Sequence, residues 1–443
     1  MDKKYKITLL LMVFILGFNF NVSIAGQISE NFISEIKNRY KFNMNVLLTG
    51  EKIKPADSSQ NPENDFLKLN DYTQTLMVRP DFSLSYKNLY LSVKPRIYLE
   101  YKQFKTGTQK GRDEKDIDVF INEYCIQYMV TDKLFFAFER EFLQWGPSFL
   151  SSPSNPFFLD NNKARPDYEG KGKEFATAIF IPNFSWTFSL LANIGNGILS
   201  DNYNDFEKIY AIKTDYSSNN GYASIILSFK DGDTAKERLG MLGGFTASDA
   251  LLVYGEAGFQ KGSDVLYPVS DNTNPFQYSM KQDHGNKNKI FSTLLVGSTY
   301  TFESGSTLTL EYLFNQAGYS DNTAADYYKL RQRAHDVYYD PGYIQGLSRQ
   351  TLGQTMDNNL IFLRKNYFMA QYIKKDIFDI FDLTLRFVHC ADDHSSRLLS
   401  YMDFYAGDNT RFFTSSTINL GNHETSFGSI FDYSLLIGIE YIF

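Results

Sequence analysis

Few side chains in this chain of 443 residues are placed to do covalent chemistry. It has five histidines, His284, His335, His389, His394 and His423, and the pair Asp392-Asp393 adjoins His394. A base with a carboxylate neighbour is what acyl or peptide hydrolysis needs. Nothing marks a nucleophile: no Gly-x-Ser-x-Gly elbow occurs, and the spacing of His389 and His394 is not a metal spacing on a strand. The chain is therefore expected not to be an enzyme and to need no cofactor or metal. A hydrolase would require a Ser or Asp within hydrogen-bond reach of His389 or His394.

Charged ladders are the more informative chemistry. A two-residue turn at Lys87-Asn88 sets Tyr86 against Leu89, and the same register sets Pro80 against Pro95 on one face. On the other face it opposes Arg79 to Arg96, Asp81 to Lys94, Thr75 to Glu100 and Ser83 to Ser92. Facing arginines repel unless an anion, a carboxylate such as Asp81, or water lies between them. If this face borders water, Arg79, Asp81, Lys94, Arg96 and Glu100 are candidate selectivity residues. Arg140 is expected to join them, with Glu139 and Glu141 as balancing charges.

Two further stretches carry candidates. Phe138 to Phe158 reads F-E-R-E-F-L-Q-W-G-P-S-F-L-S-S-P-S-N-P-F-F, in which Gly146, Pro147, Pro153, Asn155 and Pro156 enforce a fixed excursion. Trp145, Phe149, Phe157 and Phe158 give it apolar mass that a solvated loop would avoid. It is expected to fold inward as a constriction, with Gln144, Trp145, Gly146, Pro147, Asn155 and Pro156 at its heart. Gly318 to Asn358 contains Asn322-Thr323 as an N-cap and a helix over Ala324 to Val337. Arg331 and Arg333, with His335 and the tyrosines including Tyr338 and Tyr339, read as a basic aromatic surface. Such a surface suits an acidic oligosaccharide, since rings stack on sugars and arginines bind carboxylates bidentately; the alternative, which is preferred, is an aromatic-rich outer loop that closes the barrel mouth.

The elements that must position these residues are strands. Phe431 to Phe443 alternates without a break: Phe431, Tyr433, Leu435, Ile437, Ile439, Tyr441 and Phe443 share an apolar face, against Asp432, Ser434, Gly438 and Glu440 on the other. From Tyr40 onward, segments of about ten residues alternate in the same way. They are Tyr40–Leu48, Leu76–Tyr86, Leu89–Tyr101, Ile117–Val130, Leu134–Phe142, Phe175–Ile181, Phe184–Asn193, Ile209–Tyr216, Tyr222–Phe229, Leu239–Thr246, Leu251–Phe259, Ile290–Phe302, Thr307–Phe314, Leu360–Ile373, Phe381–His389, Leu398–Tyr405, Phe412–Leu420 and the last. Short turns follow even-numbered segments and long loops follow odd-numbered ones. Across eighteen segments this parity predicts an all-β transmembrane antiparallel barrel, with short periplasmic turns and long outer loops.

Composition agrees. Phe (39) and Tyr (31) dominate, the mean hydropathy is −0.33, and no apolar run long enough for a helical span follows the N-terminus. Lys3, Lys4 and Lys6, an apolar stretch from Ile7 to Phe20, and Ser23-Ile24-Ala25 read as a signal peptide over residues 1–25, leaving 26–443 as one barrel domain. The remainder carries 41 basic and 50 acidic residues, a balance that argues against nucleic acid. Cys125 and Cys390 read as two small apolar side chains.

The terminal Phe443 with apolar residues at every second position before it resembles the assembly signal of outer-membrane barrels. That resemblance implies recognition by the barrel-assembly machinery through Phe443 and Tyr441. Gln144-Trp145-Gly146-Pro147 running into a Ser, Pro and Asn-rich loop resembles porin-like, alginate-export-type channels of Gram-negative outer membranes, and secondarily capsule-assembly barrels. The resemblance implies a channel in contact with lipid bilayer and lipopolysaccharide; that its small solutes are anionic or saccharide is the expectation from the arginine and tyrosine clusters above. Glu141 beside Arg140 departs from it, and no substrate residue carries over. The alternative is a plugged surface barrel whose outer loops bind polysaccharide. Solute, transport direction and oligomeric state, a homotrimer included, stay open.

Overall fold

The computed structural model describes residues 39–159, 163, 169–195, 208–231, 236–282 and 288–443, so the expected signal peptide and His284 lie outside the described residues. The first hairpins are built from β1 (Tyr40–Pro55), β2 (Tyr72–Tyr86), β3 (Leu89–Gln103), β4 (Asp113–Thr131), β5 (Leu134–Glu141) and β6 (Lys173–Asn183). Next come β7 (Trp186–Gly195), β8 (Ile209–Ser218), β9 (Gly221–Lys230), β10 (Glu237–Ser248) and β11 (Leu251–Lys261). A detached hairpin, β12 (Leu266–Ser270) and β13 (Tyr278–Gln282), precedes β14 (Ile290–Thr301) and β15 (Thr307–Asn315). Two helices, α1 (Asp321–Asp336) and α2 (Tyr343–Met356), lead to β16 (Asn366–Ile377), β17 (Phe381–Cys390), β18 (Ser396–Tyr405), β19 (Thr410–Leu420) and β20 (Phe431–Ile442).

Apart from the detached hairpin, the strands form one 18-stranded antiparallel sheet in which β11 pairs with β14 and β20 returns to β1. Closure leaves no edge strand. Alternation sets the two faces of the wall. On β20, Leu435, Ile437 and Tyr441 are exposed outward while Leu436 and Glu440 are buried, the division expected from the sequence. Leu48, Phe245, Val296 and Phe368 continue the same outward apolar belt on other strands. In water so large a belt would drive association; in hydrocarbon it is simply solvated. No helix among the described residues is long and apolar enough to cross a membrane.

The structure departs from the expected boundaries for identifiable reasons. β1 runs on to Pro55 because Lys52 and Lys54 lie beyond the apolar belt: Lys52 sits over the rings of Tyr72 and Tyr433, and Lys54 pairs with Asp432 at 2.8 Å. The segment expected from Leu360 becomes a strand only at Asn366, since the Asp392 carboxylate takes the amides of Lys365 and Asn366 at 2.8 Å. Gln260 to Lys287, expected as a polar loop, contains β12 and β13. Helix α1 is capped by Ser320, whose hydroxyl accepts from the Thr323 amide, and not by Asn322-Thr323. Helix α2 was not anticipated; its N-cap is Gly342 at φ 90°, with no side-chain cap to announce it.

Over the long-loop end these pieces make a second small core. Tyr319, Tyr327, Leu330, Ala334 and Leu352 pack with Phe276 and Met280 of the β12–β13 hairpin. The connection after β1 joins them: Gln60 donates to the Leu352 carbonyl at 3.1 Å and accepts from Thr355 at 3.1 Å, and Tyr339 donates to Asp65 at 2.8 Å. Connections from three parts of the wall are thus knit into one cap. Leu330 is fully buried there, so Leu330→Ala removes roughly 2–5 kcal/mol from the cap alone. Limited proteolysis should cut the cap of this variant faster, while the barrel keeps its heat-modifiable mobility on gels.

Candidate functional site

The β2–β3 wall keeps its expected register on either side of the two prolines, with Val78 against Ile97, Phe82 against Val93 and Thr75 against Glu100. No ladder pair is formed from Arg79 to Asp81, where neither Pro80 nor Pro95 can donate. The charges there are arranged differently from the simple cross-strand expectation. Lys94 pairs with Glu123 of β4, its register partner, and not with Asp81. Asp81 instead accepts from Arg96 at 2.8 Å. Glu100 pairs with Lys102 at 2.8 Å. The anion between the facing arginines is Glu169, from the connection after β5. Its two oxygens accept from Nε and Nη2 of Arg96 at 2.6 and 2.8 Å, and Arg79 Nε lies 3.8 Å away. Arg96 is 2% exposed, so this bidentate pair is well shielded from water.

The same connection is fastened to the far side of the lumen. Glu256 of β11, buried and on the inward phase, accepts from the hydroxyls of Ser148, Ser152 (3.0 Å) and Ser154 (2.8 Å) and from the Ser148 amide. Glu311 of β15 accepts from the amides of Phe149 and Leu150 at 2.7 and 2.9 Å and from Tyr254 at 2.6 Å. Two buried carboxylates are tolerable only because each is supplied with several donors. Arg386 of β17 donates to the Lys163 carbonyl at 2.8 Å and to Gln371 at 2.7 Å. A loop that leaves β5 and contacts β11, β15, β17 and then β2–β3 lies across the lumen.

Glycines let it sit close. Gly240 and Gly258 face each other across β10 and β11, and a Cβ on them would stand 2.2 Å from the Ser154 carbonyl oxygen and 2.1 Å from that of Pro153. Gly146, at φ +77°, would put a Cβ 2.1 Å from Glu256. Within the loop Asn155 is the staple: it donates to the Leu143 carbonyl at 2.7 Å and accepts from the amides of Phe157 and Phe158 at 2.9 and 3.2 Å. Trp145 packs edge-on to Phe157 under the Lys213 ammonium, while Pro147 and Pro156 are half-buried and Gln144 is exposed.

Other expected positions are corrected. Arg140 shares the strand phase of Phe136 and Phe138, not that of Glu139 and Glu141, and unlike those two rings it is buried, at 1% exposed. Its guanidinium donates to the Gly172 carbonyl at 3.0 Å. Arg331 and Tyr338 are buried in the cap, Arg331 against the rings of Tyr327 and Tyr328, so they form no exposed surface. Arg333 donates to the Phe276 carbonyl at 2.9 Å, while Tyr339 and Tyr343 are largely exposed. His389 Nδ1 lies 2.9 Å from Ser396 Oγ, on the outward face beside Phe387. A serine thus stands within hydrogen-bond reach of His389, the condition set above for a hydrolase.

Glu169, Glu256, Glu311, Gly240 and Gly258 are the site residues that sequence reasoning passed over. The readable signal was glycine inside a strand on its inward phase, which marks close backbone approach. Glu256→Ala leaves the Ser154 hydroxyl and the Ser148 amide without their acceptor, while the Ser148 and Ser152 hydroxyls keep the Ser151 and Trp145 carbonyls, a loss of roughly 1–3 kcal/mol for each stranded donor. A cysteine placed at Ser152 should label with a lumen-permeant maleimide much faster in Glu256→Ala than with Glu256 intact. Gly258→Val should do the same by steric displacement.

No family model matches the chain, and no curated protein matches it. Solved structures do. Acinetobacter baumannii OccAB1 superposes with a TM-score of 0.54 at 10% identity, covering 91% of this chain and 96% of that chain. Pseudomonas aeruginosa OccK7 (OpdD) gives 0.50 at 7% identity, covering 91% and 98%. At such identities the likeness is one of fold, and the fold is that of an outer-membrane porin-like β-barrel.

Proposed function

We propose that the chain is an outer-membrane channel for small anionic solutes, moved by their own concentration gradient. The observation that carries this reading is a closed barrel whose inward phase carries buried charges, among them Arg96, Glu256, Glu311 and Arg386, between the apolar clusters on which an internal loop packs. Three guanidiniums on that phase have only neutral acceptors among the described residues. Arg238 donates to the Pro153 carbonyl, Arg386 to Gln371 and the Lys163 carbonyl, and Arg397 to Asn419 at 2.7 Å. Their charge is not cancelled by a contacting carboxylate, and a low-dielectric wall focuses it into the lumen. The charges of Arg79, Lys94 and Arg96 are largely answered by Glu169, Glu123 and Asp81. The loop from Trp145 to Phe158 then acts as the constriction. Tyr441 and Phe443, exposed at the end of the outward face, are the feature that the assembly machinery would read.

The cap favours a second reading, because a well-packed core over the long-loop end suits a plugged barrel that binds polysaccharide outside. Planar-bilayer recording of the refolded chain from residue 26 separates the two. The channel reading expects stable openings and an anion-selective reversal potential in a KCl gradient, moved toward zero by Arg386→Gln and Arg397→Gln. A fully inserted but silent barrel would leave the surface-binding reading in its place.

A further inference from the structure

We infer that Arg79 and Arg96 form a carboxylate-binding subsite which Glu169 occupies as a tethered ligand, so that Glu169 sets how strongly the lumen takes anions. This rests on the channel reading above. Arg96 presents Nε and Nη2 as a fork to a single carboxylate, the geometry in which a free carboxylate would be held. Its Nη1 is engaged separately by Asp81 and by the Pro80 and Pro95 carbonyls at 2.8, 3.3 and 2.8 Å. The fork is therefore aimed by wall residues and does not depend on Glu169 for its position. Arg79, from the facing strand, adds a second positive charge at 3.8 Å from the same carboxylate.

The occupant differs from its receptor in one respect. Arg96 is buried, but the Glu169 side chain is 29% exposed and belongs to a connection, not to the wall. A rotation of that side chain leaves the Arg96 fork open to the lumen, with the Arg79 charge beside it. A carboxylate in transit competes with Glu169 for the fork. The exchange makes and breaks only ion pairs and hydrogen bonds. Because the tethered carboxylate is always present at high local concentration, it suppresses weak anions and yields to solutes that bind the fork well.

The test compares the intact chain, Glu169→Gln and the double variant Glu169→Gln/Arg96→Gln in planar bilayers, with KCl and then potassium acetate gradients. Glu169→Gln should raise the anion-to-cation permeability ratio about fivefold, the factor expected of one unit charge acting over about 4 Å through water. Acetate should then reduce chloride current with a saturating dose dependence that the intact chain shows only at higher concentration. In the double variant the acetate effect should vanish. If Glu169→Gln only enlarges conductance, with an unchanged permeability ratio and no acetate block, Glu169 is a mechanical strap and the inference falls. It falls also if the double variant behaves as the single one does, since loosening of the loop would then explain both. Absence of current in all three proteins would overturn the channel reading itself.

Discussion

Backbone hydrogen bonding in hydrocarbon constrains everything else in this molecule. No water reaches the middle of a bilayer to satisfy an amide or carbonyl, so a sheet there must close on itself. The ladder from Asn45–Ile442 through Lys52–Leu435 does this by joining the first strand to the last. Closure forces the two-residue alternation on every strand, and so fixes which half of the side chains meets lipid and which half faces the lumen. Polar groups placed on the inward half must find partners among one another or among whatever enters. The interior of this barrel is a solution to that requirement.

Its solution relies on buried carboxylates as sockets. Glu256 and Glu311 would each be costly to bury alone, yet the loop brings the hydroxyls of Ser148, Ser152 and Ser154 to the first and the amides of Phe149 and Leu150 to the second. The loop in turn has no regular secondary structure of its own between residues 142 and 159, and it borrows acceptors from the wall in place of a ladder. Each side is unstable without the other, which makes docking specific in register. Gly240 and Gly258 convert that specificity into proximity, because any larger residue would hold the backbone of Pro153 and Ser154 off the wall.

The architecture was legible because its signals repeat. Eighteen alternating segments and the parity of short and long connections outvote a wrong boundary at Leu360 or a strand cut short at Leu48. The register at Lys87-Asn88 was legible too, since a tight turn leaves one choice. What could not be read was the identity of partners far apart in sequence. Glu169 lies 73 residues from Arg96, and Glu256 lies 108 from Ser148, and nothing local links them. Arg140 was misplaced by pairing it with Glu139 and Glu141 on one face, which the pleat forbids. Arg331 was misplaced because a helix on a loop was given an exposed face, whereas the cap offered it the rings of Tyr327 and Tyr328.

Taken together, the loop and the cap place the molecule's adaptable chemistry in a narrow zone. The cap is held by side chains that pack against one another, including Tyr327, Leu330 and Leu352, and such a core is either assembled or not. The loop's far attachments are multiple and buried, so losing one strands the rest. Discrimination among solutes then falls to groups that can exchange partners without dismantling either element. The lumen arginines are such groups: Arg238, Arg386 and Arg397 rest on neutral acceptors, and Arg96 on a carboxylate from a connection. A solute carboxylate offers each of them a stronger partner than a carbonyl or an amide oxygen. Selectivity in such a barrel is a matter of which acceptor holds a fixed arginine at a given moment, while the wall that aims the arginine stays still.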